Sequence, residues 1–225
     1  MQQLSIIIPS RNEAASIGSL LSALQPLRDG GHEVIVVDGK SQDSTGVIAA
    51  PLVDRLLLVE PGRAQQMNAG ADRATGDVLW FLHADSILPE GQADSLIADA
   101  LAGNFPGWGR FDVALSGDHP LLRIVESMMN MRSRLTGIAT GDQGIFVTRD
   151  LFEMTGGYPD QPLMEDIELS KRLRKVTSPV RIRQSLTTSS RRWEEQGIVR
   201  TILRMWVLRL AYFLGVPAEK LALHY

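Results

Sequence analysis

His83 and Asp85 stand two residues apart, directly after Val78–Leu82, an apolar run with no polar interruption. A run that short, bounded by Gly76-Asp77 and a polar cluster, reads as a strand buried on both faces of a parallel sheet. In open α/β sheets, ligands sit at the carboxyl ends of such strands. A carboxylate there is a hard oxygen ligand suited to Mg2+ or Mn2+ bridging to a diphosphate. Three further stations carry polar chemistry: Pro9-Ser10-Arg11-Asn12-Glu13, Asp38-Gly39 with Ser41–Thr45, and Arg63 with Asn68 and Gly70. A carboxylate such as Asp38 can grip a base N–H or a ribose hydroxyl, and a guanidinium such as Arg63 can meet phosphate. Each has a plainer alternative: Asp38-Gly39 as a turn, Asn68 as a polar residue inside a helix, Asp85 as an N-cap. The order and spacing of all four together favour a site.

The elements that must hold these stations follow from hydrophobic periodicity. Residues 3–8 are a strand, and Ala14 to about Leu27 a helix with Ile17, Leu20, Leu21 and Leu24 on one face. Glu33–Val37 and Arg55–Val59 are strands, Ser41–Thr45 is a polar turn able to cap a short helix, and Arg63–Ala74 is a helix. The β-α-β-α rhythm means an α/β fold with a Rossmann-like, mostly parallel central sheet flanked by helices. Further on, Gln92–Leu101 is a helix, and Trp108–Leu115 alternates like an exposed-edge strand. Leu121–Leu135 is a helix whose stripe of Ile124, Met128, Met131 and Leu135 is expected in the core. Gly144–Thr148 is a strand, and Met164–Lys175 and Ile198–Leu214 are helices. No linker or repeat interrupts the chain. We read a single domain, 1–225, with a nucleotide-binding half (1–90), an acceptor-binding half (91–195) and a C-terminal helix (196–225).

The chain has 225 residues, 44% of them hydrophobic and 22% charged, with no Cys and a net charge of −3. Disulfides and thiolate metal sites are excluded, and an acidic chain is no general nucleic-acid binder. No signal-like or spanning segment is read, which points to the cytoplasm. Charge is unevenly spread: from Lys171 to Arg209, eleven Lys and Arg face only Glu194 and Glu195. That asymmetry suits an anionic partner, a phosphorylated substrate or the inner face of a membrane, as well as a plain solvated surface.

The run Ile-Ile-Ile-Pro-Ser-Arg-Asn-Glu13, then Val-Ile-Val-Val-Asp38-Gly, Arg63…Asn68-Ala-Gly70 and Phe81-Leu-His-Ala-Asp85 resembles the family 2 glycosyltransferases of the GT-A fold. The resemblance continues through Gly141-Asp142-Gln143-Gly144, Gly156-Gly157-Tyr158 and Glu165-Asp166-Ile-Glu168, covering about residues 4–175. It implies that Pro9, Ser10, Glu13 and Asp38 line the nucleoside pocket, with Arg63 and Asn68 nearby. Asp85 matches the last carboxylate of the family's Asp-x-Asp metal motif, with His83 where many members have Asp, an imidazole that can still ligate Mn2+ or contact a phosphate. Asp166 matches the catalytic base of the Glu-Asp motif, beside Glu165, and Asp142 is the runner-up. The null for the pair is a helix start whose acidic residues oppose the dipole. The implied reaction moves a sugar from a nucleotide-diphosphate sugar, UDP- or GDP-linked, to an acceptor hydroxyl with inversion, using Mg2+ or Mn2+. The acceptor is unassigned.

Arg191-Arg192-Trp193 is similar to the Gln-x-x-Arg-Trp motif of processive members, with Ser189 in place of Gln. Arg192 and Trp193 can close over the diphosphate or acceptor, or serve as a surface pair and a packing anchor. The last helix carries Trp206, Tyr212, Phe213 and three Arg, which suits an interfacial helix on a membrane. Its Arg residues do not share one face, so packing on the domain or on a second copy in a homodimer is the expected arrangement. Two other functions fit parts of the pattern: a sugar-nucleotide-binding protein without turnover, or a nucleotidyltransferase. The latter is disfavoured because no Gly-rich, Lys-containing loop follows the first strand.

Overall fold

A computed structural model of the protein describes residues 2–89 and 92–224. The first half is laid down as the apolar runs dictate. Strands β1 (Leu4–Ser10), β2 (Glu33–Asp38), β3 (Arg55–Leu58) and β4 (Val78–Phe81) pair in parallel in the order β3-β2-β1-β4. Their crossovers carry helices α1 (Ile17–Asp29), α2 (Thr45–Ala49) and α3 (Arg63–Arg73). Every side chain of β2 and β4 is buried, as two covered faces require.

Two devices fix the carboxyl ends of these strands. Gly70 on α3 lies against β1 so closely that a Cβ would come 2.5 Å from the Ile7 Cγ2 methyl. One turn earlier, the buried Gln66 amide donates to the carbonyls of Ser10 at 2.8 Å and Val37 at 2.7 Å. Those carbonyls lie at the ends of β1 and β2, and the Ser10 carbonyl also accepts from Gly39 N–H at 2.9 Å. Gln66 therefore sets how far the two strand ends part, which is where the first two stations leave the sheet.

The second half extends the sheet. After α4 (Ala93–Leu101) come β5 (Trp108–Leu115), α5 (Pro120–Thr136), β6 (Phe146–Thr148), α6 (Arg149–Met154), α7 (Glu165–Arg174) and β7 (Val180–Thr188). The full order is β3-β2-β1-β4-β6-β5-β7, with β6 antiparallel to both neighbours and β5 parallel to β7. Helices α8 (Arg191–Gln196), α9 (Ile198–Phe213) and α10 (Ala218–Ala222) close the described chain. The result is one α/β layer structure around a mostly parallel seven-stranded sheet.

Two expectations are corrected. Trp108–Leu115 is no exposed edge: it lies between β6 and β7 and is almost wholly buried. Its polar positions are buried because they pair, Arg110 Nη1 donating to Asp112 Oδ1 at 2.5 Å and Arg181 Nε reaching the same oxygen at 2.9 Å. On α5 the core takes Leu122, Val125 and Met129, whereas Ile124, Met131 and Leu135 face solvent. Of the stripe read as core, only Met128 is half-buried, at the cleft, and the other three are the outer face.

Candidate active site

The loops that leave β1 and β2 are laced together by the polar turn 41–45. Ser41 Oγ accepts from the Asn12 N–H at 2.9 Å, Thr45 Oγ1 from Glu13 N–H at 2.8 Å, and Asp43 Oδ2 from Ala14 N–H at 3.1 Å. Asn12 returns the contact, its Oδ1 accepting from Gln42 N–H at 2.8 Å. Asn12 and Lys40 hold left-handed backbone at φ 56 each, and Met164 does so at φ 65. These are the non-glycine residues in that region among the described ones, and each sits in a loop that borders the site, where local strain is characteristic. The turn 41–45 thus serves as bracing for the neighbouring loop; the short α2 that follows has no side-chain cap.

A cleft of about 570 Å³ opens at these strand ends. Pro9, Glu13, Arg63, His83 and Asp85 line one wall, and Asp142, Glu165 and Asp166 another. Residues from the two ends of the sequence resemblance therefore meet in one place. Arg63, at the start of α3, stands 3.6 Å from Glu165 Oε1 at the start of α7. Glu165 is 4% exposed. Burial pushes its carboxyl up, the Asp166 charge adds to the rise, and Arg63 opposes it. Asp166 is braced by backbone: Oδ2 accepts from Gly141 N–H at 3.0 Å and Oδ1 from its neighbour Ile167 N–H at 2.7 Å.

His83 Nδ1 faces Asp142 Oδ1 at 3.2 Å. Enclosure raises the Asp142 carboxyl, but His83 beside it, with Arg63 and Arg209 further off, outweighs that and holds it below the usual carboxylate value. His83 Nε2 is buried with no hydrogen-bond partner. It lies against Gly141, where a Cβ would come within 2.3 Å of it. The imidazole thus joins the end of β4 to the Gly141-Asp142 loop, and both His83 and Asp85 line the cleft.

The donor set fits a divalent cation bound together with substrate. Among the described residues no three His, Cys, Asp or Glu cluster as a self-sufficient metal cage. Mg2+ and Mn2+ characteristically take one or two carboxylates, several waters and substrate phosphates, and one strand-end carboxylate meets that need. Asp85 is the residue that would hold the cation.

Asp38 is buried at the end of β2, one carboxylate oxygen accepting from Ser41 N–H at 2.8 Å. Ser10 is buried beside it, its hydroxyl without a hydrogen-bond partner. Asn68 is not at the cleft: its amide donates to the Tyr158 carbonyl at 2.8 Å and accepts from Tyr158 N–H at 3.0 Å. That replaces its expected place at the nucleotide with a staple between α3 and the Gly156–Tyr158 loop. Trp193 and Arg191 line the cleft; the side chain of Arg192 lies outside the described residues. Sequence reasoning missed Gln66, hidden as one polar residue on the sheet-facing side of α3. It also left Arg132 and Arg209 unassigned to the cleft, which both line. Their signal was present, as charges breaking two apolar helices.

Among the described residues no helix is long and apolar enough to cross a membrane. Helix α9 packs inward through Thr201 and Leu208 and turns a face outward whose members, Val199, Leu203, Trp206, Val207, Leu210 and Phe213, are 53–83% exposed.

Solved structures share the architecture. Glucosyl-3-phosphoglycerate synthase from Mycobacterium tuberculosis, in complex with Mn2+, UDP and glucosyl-3-phosphoglycerate, aligns at TM-score 0.64 with 20% identity, covering 96% of this chain and 81% of that one. A mannosyltransferase from Pyrobaculum calidifontis, in complex with GDP-Man and Mn2+, aligns at TM-score 0.60 with 23% identity, covering 84% and 56%. At such identities the likeness speaks to the fold. In sequence, a PGL/p-HBAD biosynthesis glycosyltransferase of Mycobacterium bovis is 33% identical over 174 residues, 68% of this chain. The chain spans 62% of that relative's length. The model of glycosyl transferase family 2 matches residues 5–150, from β1 through β6, and so takes in Pro9, Glu13, Arg63, His83 and Asp85 of the cleft. By that match and by the curated relative's identity, the chain belongs to glycosyl transferase family 2.

Proposed function

We propose that the protein is an inverting glycosyltransferase that moves a sugar from a UDP- or GDP-linked donor to an acceptor hydroxyl. One observation carries the reading: the Glu165–Asp166 pair and the strand-end carboxylate Asp85 line a single cleft, with Arg63 beside Glu165. In this reading residues 1–90 hold the donor through Pro9, Ser10, Glu13, Asp38 and Arg63. Residues 91–195 frame the acceptor, and the C-terminal helix, 196–225, completes the wall.

The chemistry asked of these residues is modest. The acceptor oxygen attacks the anomeric carbon from the face opposite the departing diphosphate, so one C–O bond forms as the other breaks and the configuration inverts. Asp166 accepts the hydroxyl proton, held in aim by the Gly141 and Ile167 N–H groups. A Mg2+ or Mn2+ ion would be held by Asp85 and would supply positive charge against the leaving diphosphate. Arg63 supplies a fixed positive charge on the same wall. Glu165, buried and shifted upward, sets the field around the base.

The test is thermal shift against UDP and GDP, each with and without Mn2+, on wild type and Asp166→Asn. We expect one nucleotide to raise the melt with metal in both proteins. Turnover should fall by about 10²–10⁴-fold in the variant, the range for loss of a general base. Unchanged turnover with binding intact overturns Asp166 as base. A shift in wild type without any donor hydrolysis or transfer would favour a binder without turnover.

We further propose that the outward apolar face of α9 meets a membrane, at its cytoplasmic leaflet. The face is continuous with the cleft through Trp206, which both lines it and is exposed. Sedimentation with anionic vesicles should carry the protein down; a concentration-dependent dimer without vesicle binding would assign the face to a second copy instead.

A further inference from the structure

Arg132 on α5, a helix that packs on β5, and Arg209 on α9 come from two helices that pack together, and both arginines line the cleft. Nε and Nη2 of Arg132 and Nε of Arg209 are buried, with no hydrogen-bond partner among the described residues. Buried N–H groups of charged side chains rarely stay without acceptors. Two cationic groups held near one another make the case stronger, because they repel. Burial first, and the Arg209 charge second, push the Arg132 guanidinium down to about 10. Asp166 and Asp142 attract Arg132, so the pair lies within electrostatic reach of the base. Apolar side chains line the cleft as well, among them Val125 and Met129 of α5 and Ile202 and Met205 of α9. Arg204 on α9 differs, its Nε donating to the His224 carbonyl at 2.8 Å.

This is a place with buried donors, positive charge and apolar side chains beside them. We propose that the acceptor carries a phosphate group and that Arg132 and Arg209 seat it, beside Asp166, in the wall built by α5 and α9. The inference rests on the transferase reading in that it assigns this wall to the acceptor. The donor's own phosphates have Asp85 and Arg63 at the strand ends, whereas Arg209 belongs to a helix beyond the family-matched residues 5–150. Guanidinium forks match phosphate geometry, and in a dry setting such pairs bind far more firmly than in water. The phosphate can come from a small phosphorylated acceptor or from a lipid headgroup whose chain lies on those apolar side chains.

The experiment uses inorganic phosphate and dodecyl phosphate as probes, with UDP or GDP and Mg2+ as the donor-side ligand, followed by calorimetry and melting temperature. Inorganic phosphate is expected to bind the wild-type protein, and to bind equally well when the donor site is saturated with nucleoside diphosphate. Arg132→Met and Arg209→Met should each weaken phosphate about tenfold or more, the loss of a charge-assisted hydrogen bond, while nucleotide affinity stays at the wild-type value. Dodecyl phosphate binding much more tightly than inorganic phosphate assigns the lipid source; equal binding assigns the small acceptor. Displacement of phosphate by nucleoside diphosphate overturns the proposal, since the arginines would then serve the donor. No phosphate binding in a wild-type protein that binds nucleotide also overturns it. Absence of nucleotide binding instead removes the transferase reading, and is read in a separate titration. The competition arm needs no variant, so it stands whatever the folding of the substitutions.

Discussion

Asp166 Oδ2 accepts the Gly141 N–H at 3.0 Å, and Gly141 in turn lies flat against the His83 ring. Asp166 at the start of α7 is thereby referenced to the end of β4, across more than eighty residues of chain. A Cβ at residue 141 would sit 2.3 Å from His83 Nε2, a distance no packing tolerates. Gly141→Ala must therefore push the ring or the loop aside, and a shifted loop takes the Gly141 N–H off Asp166. Misplacement of a reacting group by about 1 Å costs on the order of 10²-fold in rate. We expect kcat to fall by about that factor while nucleotide-dependent melting shifts persist, because the donor wall is untouched. Loss of both together would mean that the loop also carries the donor.

Glu165 gives a pH signature. Its folded carboxyl is raised above the ordinary 4.5, by burial first and the Asp166 charge second. The folded protein therefore holds that proton more tightly than the unfolded chain. Stability from this group is fully present below the ordinary value and is lost as pH rises through the raised one. Glu165→Gln carries no such proton. The variant should gain on wild type as pH rises from about 4.5 through the native carboxyl value, then run parallel to it. Chemical denaturation of both proteins across that range measures the difference; a variant that loses ground to wild type with rising pH contradicts the burial of this charge.

Asp85→Asn tests the cation's dependence on substrate. With no three-carboxylate cage among the described residues, binding of the ion should require nucleoside diphosphate. The wild-type melt should respond to Mn2+ chiefly when nucleotide is present, and the variant should lose that increment while retaining any metal-independent nucleotide shift. A Mn2+ response equal in both proteins would place the ion elsewhere.

The sheet's first half was legible because its strands are unbroken apolar runs, and a parallel strand buried on both faces has no other appearance. Trp108–Leu115 was misread for an instructive reason: Arg110 and Asp112 gave it the alternation of a half-solvated strand, yet both are buried and answer each other and Arg181. Pairing across strands is invisible in one strand's pattern. The partner, β7, was not read as a strand at all, since Arg181 and Arg183 interrupt it. On α5 both faces are apolar, so periodicity alone could not say which one the sheet side would take. The cleft's carboxylates and Arg63 were legible from order and spacing. Gln66, Arg132 and Arg209 were not, because one polar residue among several on a helix acquires meaning only from what faces it.

Asn68 separates a structural role from a binding role. Its amide meets both backbone groups of Tyr158, donating at 2.8 Å and accepting at 3.0 Å, like a rung of a β-ladder. Tyr158 is itself buried, its ring edge-on to Phe81 of β4 at 5.0 Å between centroids. The staple therefore fixes the loop that leads into Glu165 and Asp166. Asn68→Ala leaves a buried N–H and a buried C=O without partners, at about 1–3 kcal/mol for each unsatisfied group. We expect a lowered melting temperature, with nucleotide affinity kept in the folded fraction, since the side chain does not line the cleft. Asn68→Asp retains the acceptor and loses the donor, and should fall between wild type and Ala. Nucleotide affinity lost without any loss of stability would return Asn68 to the donor pocket.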